Sequence, residues 1–207
     1  MSTNWPVCKL GEAVCAVRAW GMSEISVRAL EESDWQVYRE VRLAALQESP
    51  QAFVTTFAEA ATQPEQYWRD CMVQAHRLLA ERDGTPLGVV SVEAIEGDPQ
   101  SADLRDLWVT PEARNTGVAS RLVQAGADQA IQDGRTKLYY WVSTENGRAI
   151  GFASNAGFRV TSERRTTLIE DREFGDQEIA FVLSLANDPG AVPTSTPSRL
   201  TTKPGPR

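Results

Sequence analysis

The sequence predicts a mixed α/β fold, a sheet of six or seven strands with helices packed on it. Three observations carry this. Segments with a two-residue hydrophobic period alternate along the chain with segments of helical period. The chain has 207 residues and 42% hydrophobic content, enough for one buried core of ordinary size. No internal repeat and no apolar run near the roughly 20 residues of a membrane span interrupts the pattern.

The elements follow in order. Ile25–Leu30 alternates as a half-buried strand does. Ser33 or Asp34 caps a helix running to about Gln47, with Trp35, Tyr38, Val41, Arg42 and Ala45 at helical spacing, and Pro50 stops it. A second helix starts near Pro64 and carries Tyr67, Trp68, Cys71 and Met72. His76 is expected at the end of this helix, beside its carbonyl pole. Leu78–Ala80 and Leu87–Ile95 are strands joined at Asp83-Gly84. Asp103–Val109 is the fourth strand. A helix from about Gly117 to Gln132 ends at Asp133-Gly134. Lys137–Ser143 is a strand, Asn146–Asn155 a helix ended near Gly157, and Phe158–Val160 and Glu178–Leu185 are the last strands.

The ends differ from this middle. Residues 1–21 show no periodicity and read as an extension, with translation starting at Met1 or at Met22. Residues 187–207 are rich in Pro, Ser, Thr and Gly and predict a disordered tail. The folded domain is therefore expected over 22–186. Of the net charge of −7, the domain carries −10, because Lys9 and Arg18 outnumber Glu12 in the extension by one and Arg199, Lys203 and Arg207 outnumber Asp188 in the tail by two.

Several function classes are excluded as expectations. An acidic chain without a basic face does not fit nucleic acid. Cys8, Cys15 and Cys71 form no disulfide framework, and with a single His76 they suggest no metal site. Ala13–Trp20 is too short for a signal peptide and holds Arg18, so a cytoplasmic, membrane-free protein is expected, as monomer or homodimer.

The chemistry concentrates in Leu107–Ala130. A strand ends at Val109, Pro111 breaks it, and Arg114-x-x-Gly117-x-Ala119 leads into a helix. The first-turn amides of a helix have no internal partners, and its dipole adds about half a positive charge there. Gly117 and Ala119 allow a phosphate to approach closely, and Arg114 offers a charged contact.

This stretch resembles the pyrophosphate-binding motif of the GNAT N-acetyltransferase superfamily, Arg/Gln-x-x-Gly-x-Gly/Ala after the fourth strand. Asn146-x-x-Ala149-Ile150-x-Phe152 followed by Gly157-Phe158 is similar to the family's Asn-x-x-Ala…Gly-Phe segment. The resemblance covers about residues 25–185. It implies a mainly antiparallel sheet of six to seven strands with a splayed central pair, here near Val109 and Val142, and four flanking helices. It implies acetyl-CoA as co-substrate. Arg114, Asn115, Thr116, Gly117, Val118 and Ala119 would hold the pyrophosphate. Backbone of Leu107, Trp108 and Val109 would bind the pantetheine arm like an added strand and polarise the thioester carbonyl. Asn146 would touch the cofactor while capping its helix.

Acetyl transfer to an amine needs a base. Strand alternation puts Asp103, Arg105, Leu107 and Val109 on one face, and Leu104, Asp106 and Trp108 on the other. The resemblance points to Asp103 as base, through water. Asp106 is a rival if a bulge shifts parity, and Glu93 on the third strand is a third candidate. The family usually has a Tyr acid directly after the position of Phe152, where this chain has Ala153. Ser154, Tyr139, Tyr140 or water would stand in. Phe53, Phe57, Tyr67 and Trp68 are candidates for an acceptor pocket, and the acidic run Glu170–Asp176 for an amine-attracting hairpin tip. The implied acceptor is a primary amine on a small molecule. Protein lysine or N-terminal acetylation, and non-catalytic acyl-CoA binding, are the alternatives.

Overall fold

The computed structural model describes residues 24–167 and 176–185. The extension, the tail and all but the last residue of the acidic run lie outside them. Seven strands form one sheet: β1 Ser26–Leu30, β2 His76–Arg82, β3 Thr85–Ile95, β4 Asp98–Val109, β5 Lys137–Ser143, β6 Arg159–Thr167 and β7 Asp176–Ser184. Their order is β1-β2-β3-β4-β5-β7-β6. Every pair is antiparallel except β4 with β5.

Five helices pack on it: α1 Trp35–Glu48, α2 Phe57–Ala61, α3 Glu65–Gln74, α4 Val118–Gln132 and α5 Gly147–Asn155. One more helix is present than the sequence suggests. Helix α2 has only five residues, so periodicity cannot reveal it. It is nucleated by a reciprocal cap, in which Thr56 Oγ1 accepts from the Glu59 amide and the Glu59 carboxylate accepts from the Thr56 amide.

The two sheet faces bury separate clusters. On one, α4 lays Val118, Leu122, Val123 and Ala127 over Leu78, Val90, Val92 and Leu104. On the other, α1 and α3 lay Tyr38, Leu46, Trp68 and Met72 over Leu79, Val89 and Trp108. Period-two alternation in β2 and β3 feeds both clusters.

Several strands are longer than the sequence suggests: β3 starts at Thr85 and β4 at Asp98, and β2 and β6 extend further still relative to their expected lengths. Strand β6 runs to Thr167 through Glu163, Arg164 and Arg165. It lies at the edge of the sheet, where charged side chains replace the alternation that marks buried strands. Strand β2 starts at His76, which corrects the placement of that residue on a helix. Helix α3 ends at Gln74, Ala75 is already extended, and His76 pairs with Val92 in the sheet. Its Nε2 lies 3.1 Å from Asp133 Oδ2, past the end of α4.

Candidate active site

A wedge between β4 and β5 organises the site. The two strands pair only from Ser101–Lys137 to Leu104–Tyr140. Beyond that point β4 stays with β3 and β5 stays with β7. The gap between Arg105–Val109 and Trp141–Ser143 is flanked by backbone that has a strand on one side only.

At the mouth of the wedge β4 bulges. Ser91 pairs with Arg105 but Val89 pairs with Trp108, so Asp106 and Leu107 together face Val90. Asp106 has φ +56°, and Asp is among the side chains that tolerate this region. The extra residue inverts the alternation beyond it. Leu104, Leu107 and Val109 pack on the α4 side, while Trp108 packs on the α1 side. Simple alternation along β4 therefore fails past Arg105. Leu107 and Val109 lie on the face opposite Asp103.

Asp106 is turned toward α1. It accepts from Arg42 Nη1 at 2.9 Å, and Arg77 Nη1 lies 3.6 Å from its second oxygen. Arg77 is buried and also donates to Ser91 Oγ and to the Cys71 carbonyl. Glu93 is held by Arg105 at 3.0 Å and lies 3.8 Å from Arg77. Both carboxylates are spent on guanidinium groups. Arg42 itself lies 4.3 Å over the ring of Phe53, which is core. Trp68 is core as well, whereas Phe57 and Tyr67 are exposed.

Asp103 stands differently. It sits opposite Tyr139, one pair before the wedge opens. Its Oδ1 is shielded from solvent and has no hydrogen-bond partner among the described residues. Burial raises its pKa above the ordinary aspartate value, against the pull of Arg165 and Arg105. It lines a cavity of about 350 Å³ with Tyr139, Trp141 and Arg165.

At the other end of the wedge, Pro111–Ala113 form a 3-10 turn and the chain then enters α4. Asn115 and Gly117 both have positive φ, +63° and +91°. Gly117 is the N-cap, so no side chain closes the first turn of α4. A Cβ built on Gly117 meets nothing within 4 Å, and the first-turn amides that follow it have no partner within the helix. Thr116 Oγ1 donates to the Ala113 carbonyl at 2.6 Å and fixes the loop. Arg114 is turned back onto the protein. Its Nε donates to the Val109 carbonyl at 3.1 Å and its Nη2 to Glu48 at 2.5 Å. Glu48 Oε2 also accepts from Ser49 Oγ and from Trp108 Nε1 at 3.1 Å. These donors, Arg114 first, hold its pKa down at about 2. The end of α1 is thus tied to the end of β4 and to the loop.

Helix α5 borders the wedge beyond β5. Asn146 Oδ1 accepts from the Ala149 amide at 3.0 Å and caps α5. Ser154 is exposed and donates to the Ile150 carbonyl at 3.0 Å. Ala153 is fully buried in the α4-side core. Tyr140 packs against Phe158 on that side, and burial pushes its pKa up to about 12.

The arrangement fits an acyl-CoA. The wedge exposes extended backbone to which a pantetheine arm can add, and it ends at a cap whose missing Cβ leaves room for a pyrophosphate against helix-start amides. No group of three metal-ligating side chains occurs among the described residues, and none of their helices is long and apolar enough to cross a membrane. Sequence reading missed Glu48, Arg42, Arg77 and Trp141. Glu48 and Arg114 lie 66 positions apart, and no spacing rule links them.

Comparison with known proteins agrees with this geometry. The family model described as the acetyltransferase (GNAT) family matches residues 35–158. An uncharacterized N-acetyltransferase of Methanocaldococcus jannaschii is 29% identical over 85 residues, which are 39% of this chain and 37% of that protein. The chain thus matches little more than a third of that curated relative's length. Among solved structures, yncA of Salmonella typhimurium with its cofactor acetyl-CoA has a TM-score of 0.62 at 16% identity, covering 83% of this chain and 99% of that one. The ribosomal-protein-alanine N-acetyltransferase of Brucella melitensis also scores 0.62, at 18% identity, over 77% of this chain and 99% of its own. At these identities the likeness establishes the shared fold. With its family model spanning more than half of the sequence, the chain belongs to the GNAT acetyltransferase family.

Proposed function

We propose that the protein transfers an acetyl group from acetyl-CoA directly to a primary amine of a small molecule. The observation that carries this is the wedge, running from the last β4–β5 pair to the uncapped start of α4. Bound there, acetyl-CoA supplies an activated acyl thioester. The amides of Gly117, Val118 and Ala119 hold the pyrophosphate, with Asn115 and Thr116 shaping the loop. Arg114 orders that loop through Val109 and Glu48. Backbone of Leu107–Val109 aligns the arm and offers an amide to the acyl oxygen. Asn146 fixes the start of α5 on the far bank.

Asp103 is the base in this reading. It is the candidate on β3 and β4 that no guanidinium holds, and burial shifts its pKa toward working pH. It takes the acceptor's ammonium proton, through water, from the face opposite the α4 core. Asp106 and Glu93 act as structure, keeping the bulge and the α1 face in place. Ser154 is committed to its own helix and Ala153 carries no proton, so the departing sulfur is protonated by solvent. General acid help is typically worth about 10²–10⁴-fold, and its absence predicts a slow enzyme.

The cavity beside Asp103, about 350 Å³ and open to solvent, has room for a small amine, and the reading of a small acceptor rests on that volume. Protein acetylation is the second reading, in keeping with the named activity of the Brucella neighbour. Thiol release from acetyl-CoA across panels of small amines and of peptides tests the proposal. Release with small amines supports it. Tight CoA binding with no release from any acceptor overturns it.

A further inference from the structure

The cavity next to Asp103 extends away from the wedge, over β5 and β6 toward the β3–β4 turn. Two aromatic rings, Tyr139 and Trp141, form its floor, and three carboxylates, Asp103, Asp98 and Glu163, line it. Among the described residues, none of these carboxylates has a Lys, Arg or His nitrogen within 4.0 Å. Among the described residues, Arg165 is the cation that lines it. It lies 4.3 Å over Trp141 and donates to Glu178 at 2.6 Å, and its charge also reaches Asp103. One face of Trp141 is thus taken by Arg165, and Tyr139 is the lining ring without a stacked guanidinium among the described residues.

A shielded carboxylate oxygen without a donor, such as Asp103 Oδ1, costs free energy unless a ligand supplies the donor. Aromatic faces combined with carboxylates attract an alkylammonium. They offer nothing to a carboxylate-bearing acceptor, because the lining guanidinium is engaged. The spread of the acidic groups along the cavity gives two cation positions. Asp103 lies at the wedge, and Asp98 and Glu163 lie at the distal side.

We propose that the acceptor is a small aliphatic dication, an α,ω-diamine. One ammonium meets Asp103 and is acetylated, and the other rests between Asp98 and Glu163 against Tyr139. This deepens the reading of the protein as an acetyl-CoA-dependent N-acetyltransferase and rests on it. One proton of the reacting ammonium passes by Asp103 to solvent. As the new C–N bond forms, the C–S bond breaks and its electron pair leaves with sulfur. The second nitrogen proton is replaced on that sulfur by way of solvent, so amide, thiol and one proton are released.

The full-length protein is tested with α,ω-diamines of three to eight carbons, with monoamines of matched length, and with a lysine-containing peptide. Thiol release is measured with acetyl-CoA, and calorimetry follows binding of the same amines. The expected result is a kcat/KM at least about fivefold higher for one diamine than for its monoamine, the scale of a single screened ion pair. The double variant Asp98→Asn, Glu163→Gln is expected to erase that ratio and raise KM for the diamine, with at most a small fall in thermal midpoint, because Asp98 also accepts from the Gln100 amide at 3.0 Å. Equal use of monoamines and diamines overturns the proposal, as does preference for the peptide over every diamine. Absence of diamine binding by calorimetry overturns it too. If diamines bind to the wild type and not to the double variant, yet no amine releases thiol, the dication site stands and the acetyl-transfer reading fails.

Discussion

Replacing Gly117 by Ala separates the demands of the backbone from those of the cofactor. Gly117 has φ +91°, where an L-residue pays roughly 1–2 kcal/mol. The added methyl meets nothing within 4 Å, so no packing term joins this strain. For a domain of this size the loss corresponds to a fall of about 2–8 °C in thermal midpoint. Gly134 provides a matched control. It has φ +77°, a Cβ there also meets open space, and it follows the opposite end of α4. Gly134→Ala is expected to lower the midpoint by a similar amount. Only Gly117→Ala places a methyl where a pyrophosphate would approach the helix-start amides. Losing about one charge-assisted hydrogen bond, ~1.5–3 kcal/mol, predicts roughly ten- to hundredfold weaker CoA binding for that variant alone. Differential scanning calorimetry gives the midpoints and titration calorimetry the affinities. Wild-type affinity in Gly117→Ala, or an equal loss in both variants, refutes the loop assignment.

Asp103→Asn is expected to cut the rate at neutral pH and to remove the acidic limb of the pH–rate profile, which in the wild type lies above the ordinary aspartate value. The folded state holds the Asp103 proton more tightly than the unfolded state. Ionisation therefore destabilises the fold as pH rises past about 3.8, and the same variant should melt higher at neutral pH; a lower melting point contradicts the buried, unpaired placement. Glu48→Ala should cost about 1 kcal/mol at pH 7 by freeing Trp108 Nε1 and Arg114. Because the Glu48 pKa is depressed to about 2, that difference should persist above the unfolded value and vanish as pH falls from about 4.5 toward 2 in acid titrations. Ala153→Tyr, which restores the family's usual residue, should fail to speed thiol release and should destabilise by about 1–3 kcal/mol or more, because Ala153 is fully buried. A faster, equally stable variant would show that the wedge has room for the missing acid.

Local signals made much of this molecule legible in the sequence. Alternation located β1, the Asp83-Gly84 turn placed β2 and β3, the density of Leu, Tyr, Trp and Val located β5, proline and glycine bounded α1, α3 and α4, and the glycine at the start of α4 marked the loop. Signals that depend on distant partners were silent. Arg114 reads as a free cation until α1 brings Glu48 to it, and Asp106 reads as a candidate base until Arg42 and Arg77 close on it. The β4 bulge adds a single residue, too little to show in any hydrophobic period, yet it reassigns the faces of Leu107, Trp108 and Val109. Strand β6 lost its signature because an edge strand is selected for charge, not for alternation.

The wedge also bears on how the chain behaves before it meets its ligand. Only four residue pairs stitch the β1–β4 half of the sheet to the β5–β7 half. Past them, two strands run side by side with inward edges that no described residue completes. Such edges are templates for any extended peptide, including a second copy of the same strand. A ligand that lies between them blocks that misuse and joins the halves into one unit that melts together. Bound acetyl-CoA is therefore expected to raise the cooperativity of unfolding, which calorimetry with and without CoA checks.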